Sequence, residues 1–147
     1  MKTILVVDDD KTILELTAIF LENLSIRLTV LTAENGAEAI YVLRAGKVDL
    51  VLTDLNMPEI DGFTLLSYIL VKHPDIKTIA MTGLQRADIN EKLRFLGVRH
   101  CMEKPFSLQD LNEKIIQILV KDTGKPEPEY LAQQVNTLKP AFIVQVF

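Results

Sequence analysis

Short apolar runs alternate along the chain with segments of helical period, and this alternation constrains the fold more than any single motif. Ile4–Val7, Ile26–Leu31, Leu50–Thr53, Lys77–Met81 and Val98–Met102 read as strands. Most lack clean in–out alternation, as strands buried on both faces do. Between them, Lys11–Leu24 places Ile13, Leu16, Phe20 and Leu24 at helical spacing, and Gly36–Ala45 repeats the pattern with Ala39, Ile40 and Leu43. Gly62–Val71 reads as a third helix, stopping before His73-Pro74 because the residue before proline avoids helical backbone. Ala87–Leu96 is a fourth, closed by Gly97 as a left-handed cap. Ser107-Leu-Gln-Asp110 is a capping-box pattern that opens a fifth helix with Leu108, Leu111, Ile115 and Leu119 on its stripe. Repeated strand–helix units imply a parallel sheet with helices on both faces. The right-handed crossover rule makes it an open doubly wound α/β sheet, and the strands are too few for a closed barrel.

A chain of 147 residues suits one domain with a short appendage. Its net charge of −4 offers no basic patch for nucleic acid, so direct nucleic-acid binding by this chain is not expected. The single cysteine, Cys101, excludes an internal disulfide and a cysteine-built zinc site. No apolar run has the length of a membrane span, and the N-terminus is too short for a signal peptide, so a cytoplasmic location is expected. After about Lys121 the texture changes. Lys125-Pro-Glu-Pro-Glu129 reads as a stiff linker, Tyr130–Leu138 as a short helix, and Ala141–Phe147 as an uncharged β-prone run. The expected division is 1–121 as one domain and 122–147 as linker and tail, either the start of a truncated output domain or a strand that packs on itself or a partner.

In open α/β sheets ligands sit beyond the carboxyl ends of the strands. Strand one ends in Asp8, Asp9 and Asp10, strand three in Asp54, strand four in Thr82, and strand five is followed by Lys104-Pro105. Carboxylates gathered on one rim repel, by about 4 kcal/mol for a like-charged pair at ~4 Å and an effective dielectric near 20. Either their pKa values rise or a divalent cation neutralises them. Hard carboxylate oxygens suit Mg2+, which also takes phosphate oxygens as ligands. These are the parts of a phosphoryl-transfer site: an aspartate to attack phosphorus, with a metal, Lys104 and Thr82 to hold the equatorial oxygens.

Val6-Val7-Asp8-Asp9, Asp54-Leu-Asn-Met-Pro58 with Asp61-Gly62, Met81-Thr82-Gly83 and Lys104-Pro105-Phe106 together resemble the receiver domain of two-component response regulators, over roughly residues 2–121. The resemblance implies a flavodoxin-like five-stranded parallel sheet of order 2-1-3-4-5. It implies that Asp54 accepts a phosphoryl group from a sensor histidine kinase or a phosphotransfer protein, and that the chain catalyses only its own phosphorylation and dephosphorylation. Asp9 would bind Mg2+ directly and Asp8 mostly through water, with Asp54 and the backbone carbonyl of Asn56 completing the protein contacts. Thr82 and Lys104 would contact the phosphoryl group, and the Lys104–Pro105 peptide would be cis. A downstream output domain or protein, or a second copy in a homodimer, would then engage the face formed by Ala87–Leu96, Val98–Met102 and Ser107–Val120.

Taken singly, each residue has a plainer reading. Asp8–Asp10 would cap the first helix, with Asp10 expected to do no more than that. Asp54 would serve a turn, and Lys104-Pro105 is a common loop. His73 and His100 read as solvated surface or loop residues, and Cys101 as a small buried hydrophobe. Receivers usually carry an aromatic residue three positions before the lysine, where this chain has Cys101, so an aromatic swing is not the expected readout unless His100 substitutes. Leu84 and Asn56 would flank the path of the hydrolytic water. A haloacid-dehalogenase-type phosphatase shares the aspartate nucleophile, magnesium, threonine and lysine. It wants a general acid two residues after the nucleophile, where Asn56 cannot serve. A pseudo-receiver acting only as an interaction module is a further alternative. A flavin-binding relative is disfavoured because Asp8–Asp10 would repel phosphate.

Overall fold

The computed structural model describes residues 1–83 and 87–121. The expectations for Leu84 and for 122–147 lie outside the described residues. Five parallel strands, β1 (Lys2–Val7), β2 (Leu28–Ala33), β3 (Leu50–Asp54), β4 (Lys77–Thr82) and β5 (His100–Glu103), form one sheet of order β2-β1-β3-β4-β5. This is the open doubly wound sheet that the alternation of strand and helix predicts, in the flavodoxin-like strand order that the resemblance to receivers implies.

Among the described residues five helices follow the strands: α1 (Lys11–Glu22), α2 (Gly36–Ala45), α3 (Gly62–Lys72), α4 (Ala87–Phe95) and α5 (Leu108–Ile116), the last continued by a π-helical turn over Gln117–Lys121. Ile4, Val6, Leu52 and Met81 pack against α1 and α5 through Leu14, Leu21, Leu111 and Ile115. On the opposite face Leu5, Val7 and Val51 meet α2 and α3, and Ala80 meets α3 and α4. Ile4–Val7 and Leu50–Leu52 are fully buried because both faces of the sheet are covered.

Most starts are set by local chemistry. Asp10, Asn35, Asp61 and Ser107 each accept a backbone N–H in the first turn of α1, α2, α3 and α5, a contact worth about 1 kcal/mol at each start. Gly97 takes φ 75°, and the Gly97 N–H to Arg94 and Val98 N–H to Leu93 carbonyl bonds close α4 as expected.

Several expectations need correction. Leu16 is exposed; the buried stripe of α1 is Leu14, Thr17 and Leu21, so the helix is rotated from the phase the larger residues suggest. Leu108 is also exposed, at the first position of α5. β2 begins two residues later than Ile26 and runs on to Ala33, where the Asp8 N–H reaches its carbonyl. β5 starts at His100 because Val98 is spent closing α4. His73 stands in the loop after α3, as one reading allowed, but is not simply solvated: it caps the end of α3, its ring lies 5.6 Å from that of Tyr68, and its Nε2 is buried with no hydrogen-bond partner among the described residues. Burial pushes its pKa down, helped by Lys72.

Candidate functional site at the carboxyl ends of the strands

The sheet order places β1 and β3 side by side at the centre with β4 next to β3, so their carboxyl ends open on one rim. Asp8 follows β1, Asp54 closes β3, Thr82 closes β4, and Lys104 follows β5. Asp8 is fully buried, while Asp54 and Thr82 are 7% and 6% exposed. Asp9 is exposed at the mouth. One carboxylate oxygen from each of Asp8, Asp9 and Asp54 lies within 4.8 Å of the others. The sequence-predicted acids therefore converge, with the exception of Asp10, which caps α1 through the N–H groups of Thr12 and Ile13.

Among the described residues, Lys104 is the cation paired with this cluster. Lys104 Nζ donates to Asp8 Oδ2 at 2.8 Å and lies 3.6 Å from Asp54 Oδ2. The Lys104 backbone N–H is held by the Thr82 carbonyl at 2.7 Å, so β4 sets the height of the lysine. The Lys104–Pro105 peptide is cis, as expected. Asp8 Oδ1 accepts the Asp10 N–H at 3.0 Å. Asp54 Oδ1 accepts a long N–H contact from Asn56, at 3.4 Å. Burial raises the Asp54 pKa above its ordinary value; Lys104 opposes this, and Asp8 and Asp9 add to it. Among the described residues two acids and one lysine act on the buried Asp54 carboxylate, an arrangement that suits a further cation. Three hard carboxylates converging on a rim fit Mg2+ by donor type.

Sequence reasoning missed the parts that shape this rim. Thr53, fully buried, donates its hydroxyl to the Asp54 carbonyl at 2.9 Å. Gly62 lies so close to the Asp54 carbonyl and Leu55 Cα that no Cβ fits, and its N–H bonds the Leu55 carbonyl. The Asp61-Gly62 pair is visible in the sequence, but its reason is a close approach of two backbones. Cys101 is half-buried, beside a groove of about 390 Å³ between β5 and α5 whose walls include Glu103, Phe106 and Lys114. Burial, then Glu103, pushes its thiol pKa up, against a reactive role.

A family model described as the response regulator receiver domain matches residues 4–116. The chain is 30% identical over 114 residues to the probable C4-dicarboxylate response regulator DctR of Halalkalibacterium halodurans, covering 78% of this chain and 50% of that protein. Among solved structures, the signal receiver domain of a DNA binding response regulator from Colwellia psychrerythraea is 33% identical with a TM-score of 0.75, covering 83% of this chain and 100% of that one. The response regulator protein TrrA of Thermotoga maritima, solved in complex with Mg(2+)-BeF, is 34% identical with a TM-score of 0.71, covering 81% of this chain and 100% of that one. The chain spans half or less of the length of the curated relatives it matches.

Proposed function

We propose, because this chain belongs to the response regulator receiver domain family, that it is a signalling switch set by phosphorylation of Asp54. The observation that supports this most is the convergence of the Asp8, Asp9 and Asp54 carboxylates, with Lys104 on Asp8 and Asp54, at the carboxyl ends of the strands. Asp54 is buried and burial raises its pKa, which favours a nucleophile held clear of bulk water.

Asp8, Asp9, Asp54 and the carbonyl of Asn56 would hold Mg2+. When bound, the metal supplies positive charge to the phosphoryl oxygens and to the crowded carboxylates. An Asp54 oxygen attacks the phosphorus of a phosphohistidine on a sensor kinase or phosphotransfer protein, and the imidazole leaves. Lys104, already within reach of Asp54, follows the new negative charge. Thr82, at the end of the neighbouring strand, donates to a phosphoryl oxygen. The phosphorylated domain then presents an altered surface to an output domain, to an output protein or to a second copy. The size of that change is limited by the differential affinity of the phosphoryl group for the two surface states. Receivers are signalling modules rather than enzymes acting on a separate substrate, and this chain is read as one of them, cytoplasmic and spanning 1–121. Among the described residues no helix is long and apolar enough to cross a membrane.

The test is intact mass after incubation with acetyl phosphate and Mg2+. One phosphoryl adduct is expected, absent in Asp54→Asn and absent in EDTA. An adduct that persists in either condition overturns the assignment.

A further inference from the structure

Gly36 opens α2, away from every residue discussed above as a ligand, yet it touches the loop that follows β3. A Cβ added there would lie 2.5 Å from Ile60 Cγ2, 2.7 Å from Ile60 Cβ and 2.7 Å from the Ile60 carbonyl oxygen. One of the three is a backbone atom, so a side-chain rotation at Ile60 does not make room. Any larger residue at position 36 must push the loop itself.

That loop, residues 55–61, is held at several other points. The Leu55 N–H bonds the Met81 carbonyl, and the Gly62 N–H bonds back to Leu55. Met57 is buried with Leu5, Val7 and Leu43. Asp61 is fixed by its cap on Thr64. Between Met57 and Ile60, Glu59 takes φ 64°, a left-handed backbone that a side chain adopts at a cost. A short segment fixed at both ends and in the middle has few ways to absorb a displacement at Ile60. The chain from Ile60 back to Asn56 runs through Glu59, Pro58 and the buried Met57.

We propose that Gly36 is a positioning residue for Mg2+ binding: its bare backbone lets the loop sit low enough to present Asn56 beside Asp54. The proposal rests on the reading of the acidic rim as a magnesium site. α2 thus acts on the metal through the Gly36–Ile60 contact, without supplying any ligand.

The experiment compares the full chain, Gly36→Ala and Gly46→Ala. Gly46 is the matched control: it follows the other end of α2, its backbone is extended, and a Cβ there meets nothing within 4 Å. Mg2+ is titrated with amide chemical shifts as the readout, and melting temperatures are recorded in EDTA. Gly36→Ala is expected to weaken Mg2+ binding roughly tenfold, as changes behind metal ligands do, while Gly46→Ala binds as the unaltered chain does. Acetyl phosphate labelling of Gly36→Ala is expected to return to the ordinary rate at saturating Mg2+. A merely structural glycine would lower the melting temperature and leave the affinity of the folded protein unchanged; that result overturns the proposal. If Gly36→Ala does not fold, Ile60→Ala loosens the same contact from the loop side, and unchanged Mg2+ affinity in that variant overturns the proposal equally. An unaltered chain that gives no shifts with Mg2+ overturns the reading of the site itself, and the inference falls with it.

Discussion

The two ends of the sheet are built from the same ingredients and hold opposite electrostatic states. At the amino end, Asp49 Oδ2 accepts the Thr3 N–H at 2.8 Å, and Asp49 Oδ1 lies 3.8 Å from Lys2 Nζ, a lysine whose side chain is 56% exposed. The Asp49 main chain meanwhile bonds Thr3 and Lys77. One acid there has one backbone donor, one lysine and access to water. At the carboxyl end Asp8 and Asp54, both buried, share Lys104, Asp9 stands beside them, and the Asn56 N–H contact to Asp54 is long. An acid beside a lysine is therefore no mark of a site. What separates the ends is buried charge without full compensation, which the fold tolerates where a ligand can supply the remainder.

The largest effect that can break this contrast is chemical. Asp49→Asn is expected to be phosphorylated by acetyl phosphate like the unaltered chain, and Asp54→Asn not at all, by intact mass. Labelling that fails in both would show that the amino end matters to the chemistry and that the two ends are not independent.

Next in size is removal of each end's lysine. Lys104→Met leaves the buried Asp8 carboxylate without its cation and is expected to lower unfolding stability by about 3 kcal/mol in urea without metal. Lys2→Met removes an exposed pair and is expected to change it by less than about 1 kcal/mol. Mg2+ should recover part of the first loss and none of the second. Equal costs for the two would mean that the carboxyl-end acids are better compensated than their surroundings indicate.

Smaller again is the metal's own contribution. Magnesium at ten times its dissociation constant is expected to stabilise the chain by about 1.4 kcal/mol in thermal melts. Asp9→Asn should abolish that increment, Asp8→Asn should keep part of it, and Asp49→Asn should keep all of it. A full increment in Asp9→Asn would remove Asp9 from the ligand set.

The same contrast explains what the sequence reveals. Uncovered acids at strand ends are legible, because strand ends follow from apolar runs and the acids stand directly after them: Asp8 after Val7, Asp54 after Thr53. Strand order follows from the family resemblance and agrees with the structure. What escapes is whatever depends on a close approach or on helix phase. Thr17 is polar by name and buried in fact, so the stripe Leu14–Thr17–Leu21 hides behind the larger Ile13–Leu16–Phe20 series. At about 100° per residue the two series lie one residue, or a little over a quarter turn, apart at every position, and composition cannot choose between them. Val98 looks like a strand residue until the closure of α4 claims its N–H. Gly36 carries no chemical signal in sequence, since its role lies in the atoms of Ile60 that leave no room beside it.

The last comparison turns on the sign of a pH effect. Burial raises the Asp54 pKa in the folded chain above its ordinary 3.8, so over the window between those two values the folded state keeps a proton that the unfolded state has released. Any favourable contribution from this group is fully present below 3.8 and is lost as pH rises through the folded value. At pH 7 the ionised carboxylate is a net cost in the absence of metal. Asp54→Asn removes that cost, so it is expected to be more stable than the unaltered chain at pH 7 in EDTA, with the gain shrinking toward zero as pH falls below 3.8. The amino end should answer with the opposite sign. Asp49→Ala takes the acceptor from the Thr3 N–H and is expected to lose about 1–1.5 kcal/mol at pH 7. Urea titrations of the three proteins at pH 7, and of Asp54→Asn and the unaltered chain at pH 3.5, decide it. Loss of stability in Asp54→Asn at pH 7 would show that Lys104 overcompensates the buried charge, and that the carboxyl end is satisfied as fully as the amino end.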